Sequence, residues 1–373
     1  VKESFFMAAK KRGVLVTGVA HPWGRNLVPL LEEDEQFDPI IGVDFKKPET
    51  PFKRVEFFQV DLHNPLIPEL LQVANVDTVC HLLFLDAYAS NEEYFDQNVM
   101  GAMDLLAACA ASDIKRVIIK SDTKVYGCQY LHPNYLSEYS EFQGRHQHRY
   151  IQDRVELERI VDRFSRQNVN PRLTILRFAN ILGRSIQTPM SRYLDSHIVP
   201  TVAGFDPLFQ FTHEKDVLAC LYHTIKSDVT GVFNIAGEGA LPLSQVMRIG
   251  GVTNLPLPAT LLGLTSMLWR RAGKKGILNS IPIEVGYLKH ACLGDTTRMK
   301  EWLKFAPRYS SKQTVTDFFE NLRVRRYLPS RTSIRSDPLS SEQLQEWIAA
   351  RRHAQDYLSD LIETFNKAGE HDQ

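Results

Sequence analysis

Cysteine is scarce and unpaired in this chain: there are five in 373 residues (Cys80, Cys109, Cys128, Cys220, Cys292), with no Cys-x-x-Cys spacing. That argues against a disulfide framework and a thiolate zinc site, and it points to a reduced, cytoplasmic setting with no metal centre. Net charge is lacking too. Lys and Arg number 44 and Asp and Glu 44, so no overall field favours nucleic acid or an anionic membrane. No run reaches the roughly 18 consecutive apolar residues of a membrane span. The nearest, Leu255 to Trp269, is interrupted by prolines and followed by Arg270, Arg271, Lys274 and Lys275. Its length favours a buried helix of a second lobe over a helix lying on a membrane surface. Val1 to Arg12 carries Phe5 and Phe6 without a sustained apolar core, which reads as an arm rather than a signal peptide. Internal repeats and low-complexity tracts are absent.

What is present is an ordinary globular composition, 43% hydrophobic and 24% charged, at a length sufficient for a large α/β domain and a smaller lobe. The organising stretch is Val14 to Gly24. A short apolar run enters two glycines, Gly18 and Gly24, and Leu27, Leu30 and Leu31 leave them at helical spacing. A strand, a glycine turn and a helix start form the phosphate-cradling entrance of a dinucleotide-binding unit. The helix N-terminus offers free N–H groups and partial positive charge to a pyrophosphate. His21 stands where a middle glycine is expected. A plain strand-to-helix turn has the same local pattern, and the rest of the chain decides between the two.

Pro39 to Asp44 is a second apolar run, ending in a carboxylate about 20 residues beyond Gly24, where dinucleotide folds place the acid that meets the adenosine ribose. A carboxylate there repels the extra phosphate of NADP and favours NAD, although Lys46, Lys47, Lys53 and Arg54 follow. Val55 to Leu62, Val76 to Phe84, Ile114 to Ser121 and Arg172 to Phe178 read as further strands. Helical spacing occupies Leu66 to Val73, Val99 to Cys109 and Tyr150 to Arg166. This alternation predicts a doubly wound parallel α/β sheet. From Gly183 the chain turns to short segments, with Gln210 to Ile225 and Gly231 to Ala236 as candidates to return to the sheet. The organisation expected is an arm (1–12), a dinucleotide-binding domain (13–182), a substrate lobe (183–328), a linker (329–341) and a C-terminal amphipathic helix (342–373). That helix carries Leu344, Trp347, Ile348, Leu358, Leu361, Ile362 and Phe365 on its apolar side.

The motifs in order are Thr17-Gly18 to Gly24, Asp44, Asp61-Leu62, Val79-Cys80-His81-Leu82, Asn98-Val99-Met100-Gly101, Lys115-Arg116-Val117 and Val125-Tyr126-Gly127. Leu176 to Gly183, Phe211 to Val217, Gly231 to Ala236 and Asp295 to Met299 follow. Together they resemble the extended short-chain dehydrogenase/reductase superfamily, in its NAD-dependent epimerase/dehydratase branch, over all but the arm and the tail beyond about Tyr327. The resemblance implies a Rossmann-type fold and an NAD cofactor, with Gly18 and Gly24 at the pyrophosphate, Asp44 at the adenosine ribose, and Asp61 with Leu62 at the adenine. It also implies that the fourth strand, around Leu82 to Phe84, passes beside the cofactor, that Asn180 lies near the substrate, and that a homodimer forms through the helices after the fourth and fifth strands. Arg184, Arg192 and Arg248 are candidate partners for a substrate phosphate, or plain surface charge.

In that family a tyrosine is the general acid/base, a lysine one helical turn later lowers its pKa, and a Ser or Thr orients the substrate hydroxyl. Here Tyr150 is followed at i+4 by Arg154, on the same helix face. A guanidinium still favours tyrosinate, with a bulkier and planar geometry. Counting back from Val125-Tyr126-Gly127, the hydroxyl position is Asp122, flanked by Ser121 and Thr123 as candidate donors. Asp122 either raises the phenol's pKa or pairs with Arg154. Thr123 and Lys124 replace the Asp-Glu pair of the family's dehydratases, which argues against sugar 4,6-dehydration. His21 either bonds a phosphate across a widened turn or marks a relaxed cofactor site. The leading expectation is an epimerase or reductase that exchanges hydride between NAD and a secondary alcohol of a nucleotide sugar. The alternative is a non-catalytic NAD(P)-binding or sensor protein that retains the fold. A lipid- or steroid-type alcohol dehydrogenase acting near a membrane rests only on Leu255 to Trp269.

Overall fold

In the first strand, β1 (Arg12–Thr17), every residue from Gly13 onward is buried. Both of its faces therefore need cover, the usual condition of a parallel sheet. The computed structural model describes residues 11–84, 95–130, 132–144, 149–196, 198–262 and 283–325, with Gln345 and Ala349. β2 (Phe37–Asp44), β3 (Val55–Gln59), β4 (Val76–His81), β5 (Arg116–Asp122), β6 (Arg172–Phe178) and β7 (Gly231–Ile235) complete a seven-stranded sheet in the order β7-β6-β5-β4-β1-β2-β3. Every neighbouring pair is parallel.

Helices fill the crossovers: α1 (Pro22–Glu32), α2 (Ile67–Val73), α3 (Gly101–Ala111) and α4 (Arg149–Gln167). Pro22 opens α1, where its missing N–H costs nothing and its fixed φ suits the first turn. Beyond β6 come α5 (Pro189–Leu194), α6 (Glu214–Lys226), α7 (Leu243–Gly250), α8 (Thr297–Glu301) and α9 (Ser311–Arg325). The pleat of β1 feeds two cores. Val14 and Val16 belong with Leu27, Val28 and Leu31 of α1 and Val217 and Leu221 of α6. Leu15 belongs with Leu70 and Leu71 of α2, Leu105 and Leu106 of α3, and Leu157 and Val161 of α4. A third core joins Ile151 and Val155 of α4 to Tyr193 of α5, Val246 of α7 and Phe319 of α9. α4 thus passes from one core into another along its length.

The parallel, doubly wound sheet expected from the sequence is the one observed. Gly231 to Ile235 does return to it as edge strand β7. Gln210 to Ile225 does not: Phe211–His213 pairs with Asn180–Leu182 outside the main sheet, and α6 follows. Leu255 to Trp269 differs in part: its first residues are strand, and helix begins only at Ala259, with Leu262 buried. Thr253–Leu257 is a strand paired with Ile198–Val202, and Leu255 is 40% exposed. Pro256 and Pro258 each lack a donor and disfavour helical geometry in the residue before them. Residues 263–269 lie outside the described residues, as do most of the expected arm, the linker and the C-terminal helix apart from Gln345 and Ala349. No described helix is long and apolar enough to cross a membrane.

A buried charge network fastens α4 to the sheet. Arg177 of β6 donates through Nε and Nη2 to Glu158 of α4 at 2.9 and 2.6 Å, and through Nη1 to Tyr126 Oη at 2.7 Å and the Glu138 carbonyl at 3.0 Å. Tyr126 Oη donates to Asn234 Oδ1 at 2.7 Å, and Ser121 Oγ donates to Glu158. Glu158→Ala would strand Arg177 in the interior without its anion, an expected loss of about 3–5 kcal/mol. Urea denaturation reads it directly. A loss below about 1 kcal/mol, the scale of an ordinary hydrogen bond, would show that α4 holds without the pair.

Candidate active site

β1 leads to β2 on one side and β4 leads to β5 on the other, so a crevice opens at the C-terminal ends of β1 and β4. Thr17, the last residue of β1, sits level with His81 of β4. Its Oγ1 accepts the N–H groups of Leu82 and Leu83 at 3.1 and 3.2 Å, which leaves its single proton for His81 Nδ1 at 2.8 Å. The neutral imidazole then carries its proton on Nε2, which has no hydrogen-bond partner among the described residues. Burial pushes the His81 pKa down to about 4.

Gly18 follows at φ +75°, and a Cβ there would lie 2.8 Å from the Leu83 nitrogen. Glycine alone closes the turn this near β4. Gly24, expected at the pyrophosphate, turns its missing side chain onto the Gly18 carbonyl, so that α1 packs directly on the turn. His21 is the residue before α1. Its N–H donates to the Gly18 carbonyl at 3.0 Å, and its ring lies 5.7 Å from that of Phe45. Asp44 ends β2, fully buried, and accepts Ala20 N at 2.8 Å and Lys46 N at 3.0 Å. Burial raises its pKa, opposed by nearby His21 and by those two N–H groups. Asp61, just past β3, accepts Gln97 Nε2 at 2.8 Å and His63 N at 3.2 Å, and Leu62 is buried beside Gly101.

The pleat of β5 sorts the next group. Ser121 points to the α4 side and spends its hydroxyl on Glu158, which corrects its expected role as a substrate-facing donor. Lys120 and Asp122 point the other way, where Lys120 Nζ sits 4.9 Å from the Trp23 ring centroid. Asp122 caps the turn after β5 through Lys124 N at 2.8 Å, and Lys124 Nζ reaches both of its oxygens at 3.2 and 3.1 Å. Of the two sequence readings for Asp122, neither anticipated this partner. Thr123 is buried, and its carbonyl accepts the Cys292 thiol. Arg154 is buried on α4 with its guanidinium carbon 3.9 Å from the Phe84 ring centroid. Tyr150 lies in the first turn of the same helix, and its side chain is outside the described residues.

Trp23, Lys120, Asp122, Lys124, Arg154 and Asn180 line one cleft with Ile181, Ile186, Thr188, Pro189 and Met190, enclosing about 30 Å³. Asn180 donates through Nδ2 to the Gln210 carbonyl at 3.1 Å, and its buried Oδ1 has no partner among the described residues. Arg184, Arg192 and Arg248 are exposed and not among the described lining. α5 gives the cleft Pro189 and Met190 but turns Arg192 to solvent, because its opposite side carries the buried Tyr193 and Leu194. A larger cavity of about 910 Å³ lies beneath α4 at the β6–β7 edge and contains none of these described site residues. Lys120, Lys124 and Trp23 were not anticipated as site residues. Period-two alternation back from Asp122 was the available signal for Lys120.

Comparison with known proteins agrees with this architecture. The model of the NAD-dependent epimerase/dehydratase family matches residues 14–236. Uncharacterized protein Rv0501 of Mycobacterium tuberculosis is 32% identical over 314 residues, covering 82% of this chain and 83% of its own. Among solved structures, MoeE5 in complex with UDP-glucuronic acid and NAD has a TM-score of 0.65 at 21% identity, covering 85% of this chain and 100% of that one. UDP-glucose 4-epimerase of Thermotoga maritima with UDP-glucose has a TM-score of 0.64 at 19% identity, covering 84% and 99%. The fold is that of a Rossmann-type dinucleotide-binding protein. The chain belongs to the NAD-dependent epimerase/dehydratase family.

His81 gives this site a pH signature. The unfolded chain takes up its proton near pH 6.5, and the folded chain near 4. Its contribution is therefore complete above pH 6.5 and lost as pH falls toward 4, about 3 kcal/mol in total. His81→Gln should flatten the stability profile between pH 7 and 4.5 relative to the parent, measured by denaturation at each pH. An unchanged slope would mean that His81 is not buried neutral.

Proposed function

We propose that the chain binds NAD across the Gly18 turn and exchanges hydride at a secondary carbinol of a nucleotide sugar, as an epimerase or reductase. The observation that carries this reading is the placement of the glycine turn with Asp44 at the same sheet edge as the cleft of Asp122, Arg154 and Asn180. The residues fit a dinucleotide: Gly18 leaves no side chain over the turn, and α1 begins there. Each Asp44 oxygen accepts one backbone N–H and keeps a lone pair for a ribose hydroxyl. Its charge favours NAD over NADP. When bound, NAD supplies the hydride acceptor and donor at its nicotinamide ring.

The chain's own part is to place the substrate and move its proton. Tyr150 takes the carbinol proton and returns it, and Arg154, one helical turn on, favours the phenolate by its charge. The Phe84 ring, 3.9 Å from the guanidinium carbon, limits the conformations open to it. Asn180 Oδ1 accepts a substrate hydroxyl. MoeE5 and the Thermotoga epimerase, which bind UDP-glucuronic acid and UDP-glucose, support the nucleotide-sugar assignment.

Asp122 in the hydroxyl position and Arg154 in the lysine position favour a second reading, in which NAD binds without turnover. Two measurements separate the readings. NADH titration followed by fluorescence should show binding that Gly18→Ala weakens by about tenfold or more, because Ala at positive φ is strained and meets β4. Chromatography of UDP-hexose mixtures should show epimerisation that Tyr150→Phe abolishes while NADH still binds. Binding without turnover in the parent selects the second reading, and absence of NADH binding overturns both.

A further inference from the structure

The turn that follows β3 is tied to the start of α3 through one histidine. Val60 N donates to the Asp44 carbonyl at 3.0 Å, so the turn that begins at Asp61 borders Asp44 at the C-terminal edge of the sheet. Opposite it, Asp96–Met100 form a π-helical turn that leads into α3. Turns of this kind are rare and recur at functional sites. This one meets the Asp61 turn directly. Gln97 Nε2 donates to Asp61 Oδ2 at 2.8 Å, and buried Leu62 packs against Gly101.

His63 sits between two carboxylates. Its Nδ1 lies 2.6 Å from Asp104 Oδ2 on α3, and its buried Nε2 lies 3.3 Å from Asp96 Oδ2 on the π-helical turn. Asp61, on the same turn as His63, is the third charged group that acts on it. A neutral imidazole has a single N–H. The short Asp104 contact holds that proton on Nδ1, and Nε2 then turns a lone pair toward the Asp96 carboxylate. Protonation converts this repulsion into a second ion pair, so only the imidazolium satisfies both neighbours. Burial opposes the charged form. The hydrogen bond with Asp104 and the charges of Asp61, Asp96 and Asp104 outweigh it, and the pKa is raised above the usual 6.5.

We propose that His63 is a proton-operated clamp on the adenosine end of the dinucleotide site, which binds NAD more tightly when the imidazole is charged. In the charged state Asp96 and Asp104 draw the Asp61 turn onto α3. In the neutral state Asp96 and the Nε2 lone pair repel, and the wall beside Asp44 loosens. Leu62 against Gly101 anchors the turn in both states, so affinity changes while the fold holds. Asp96 and Asp104 are 59% and 46% exposed, and solvent screening keeps the change modest. The clamp is complete below pH 6.5 and is lost as pH rises through the raised pKa of His63. It rests on the NAD reading above and adds regulation to it.

Calorimetric titration of the full chain with NAD at pH 6 and pH 8.5 reads the clamp. The dissociation constant should rise about fivefold between these pH values in the parent, and less than about twofold in His63→Gln. Any contribution of His21, which acts on Asp44, is common to both proteins and cancels in the comparison. His63→Lys, charged at both pH values, should keep at pH 8.5 the affinity it has at pH 6. A second measurement needs no cofactor. In a proton NMR titration, with the His63 signal assigned by its loss in His63→Gln, the midpoint should lie above 6.5 and fall in Asp96→Asn/Asp104→Asn. Equal pH dependence in the parent and His63→Gln overturns the proposal, as does a parental midpoint at or below 6.5. So does a His63→Lys affinity that falls with pH as steeply as the parent's. Absence of NAD binding at both pH values, with the midpoint above 6.5, overturns the cofactor reading instead, and this proposal falls with it.

Discussion

The molecule depends on how closely the turn after β1 approaches the exit of β4. Thr17 Oγ1 is tied to Leu82, Leu83 and His81 at once, and Gly18 has no space for a side chain against Leu83. Three hydrogen bonds to one hydroxyl set the separation of the two central strands at the point where the sheet reverses its order. α1 then packs on the same turn through Gly24. Any residue larger than glycine at either place would push the helix or β4 outward and change the crevice. The presence of a buried neutral imidazole in this knot follows from the hydroxyl's inventory: with both lone pairs used, Thr17 can only donate to it.

The second organising element is α4. It shares Leu157 and Val161 with the sheet core and Ile151 and Val155 with the core of the C-terminal part. Its charged residues divide in the same way, Glu158 toward Arg177 in the sheet and Arg154 toward the cleft. The helix is therefore rigid at the level of Glu158, four residues, or about one turn, beyond Arg154. Catalytic geometry in such a site depends on groups held by packing rather than by flexible loops. The Arg177–Glu158 pair supplies that support without touching the cleft.

Much of the fold was legible because its signals are local and repeated. Strands with continuous apolar runs, a glycine turn and helices at 3.6-residue spacing each depend on a few neighbouring residues, and here they agree with one another. The start of Leu255 to Trp269 misled because the length of the apolar run was weighed above proline chemistry. Pro256 and Pro258 spoke for an extended chain, and Thr253–Leu257 found a strand partner at Ile198–Val202, more than fifty residues earlier. The site was legible in part. Asp122, Arg154 and Asn180 do line one cleft. The loss of Ser121 to Glu158 was hidden, because the acceptor lies 37 residues away on a helix whose rotation no local pattern specifies. Exposure of Arg192 and Arg248 was likewise set by which side of a short helix is buried, a property of the whole lobe.

The Asp122–Lys124 pair changes how the departures from the family pattern combine. Considered singly, a carboxylate in the hydroxyl position opposes a phenolate, and an arginine in the lysine position is a bulky substitute. Lys124, 3.1 Å from Asp122, turns that carboxylate into one end of a compact dipole, whose field falls off faster than that of a lone charge. Arg154 then occupies the place on α4 that the lysine holds in the family pattern. Asp122, Lys124 and Arg154 together carry one formal positive charge, the same as a lysine beside a neutral Ser or Thr. The substitutions are thus coupled: their summed formal charge is that of a lysine beside a neutral Ser or Thr.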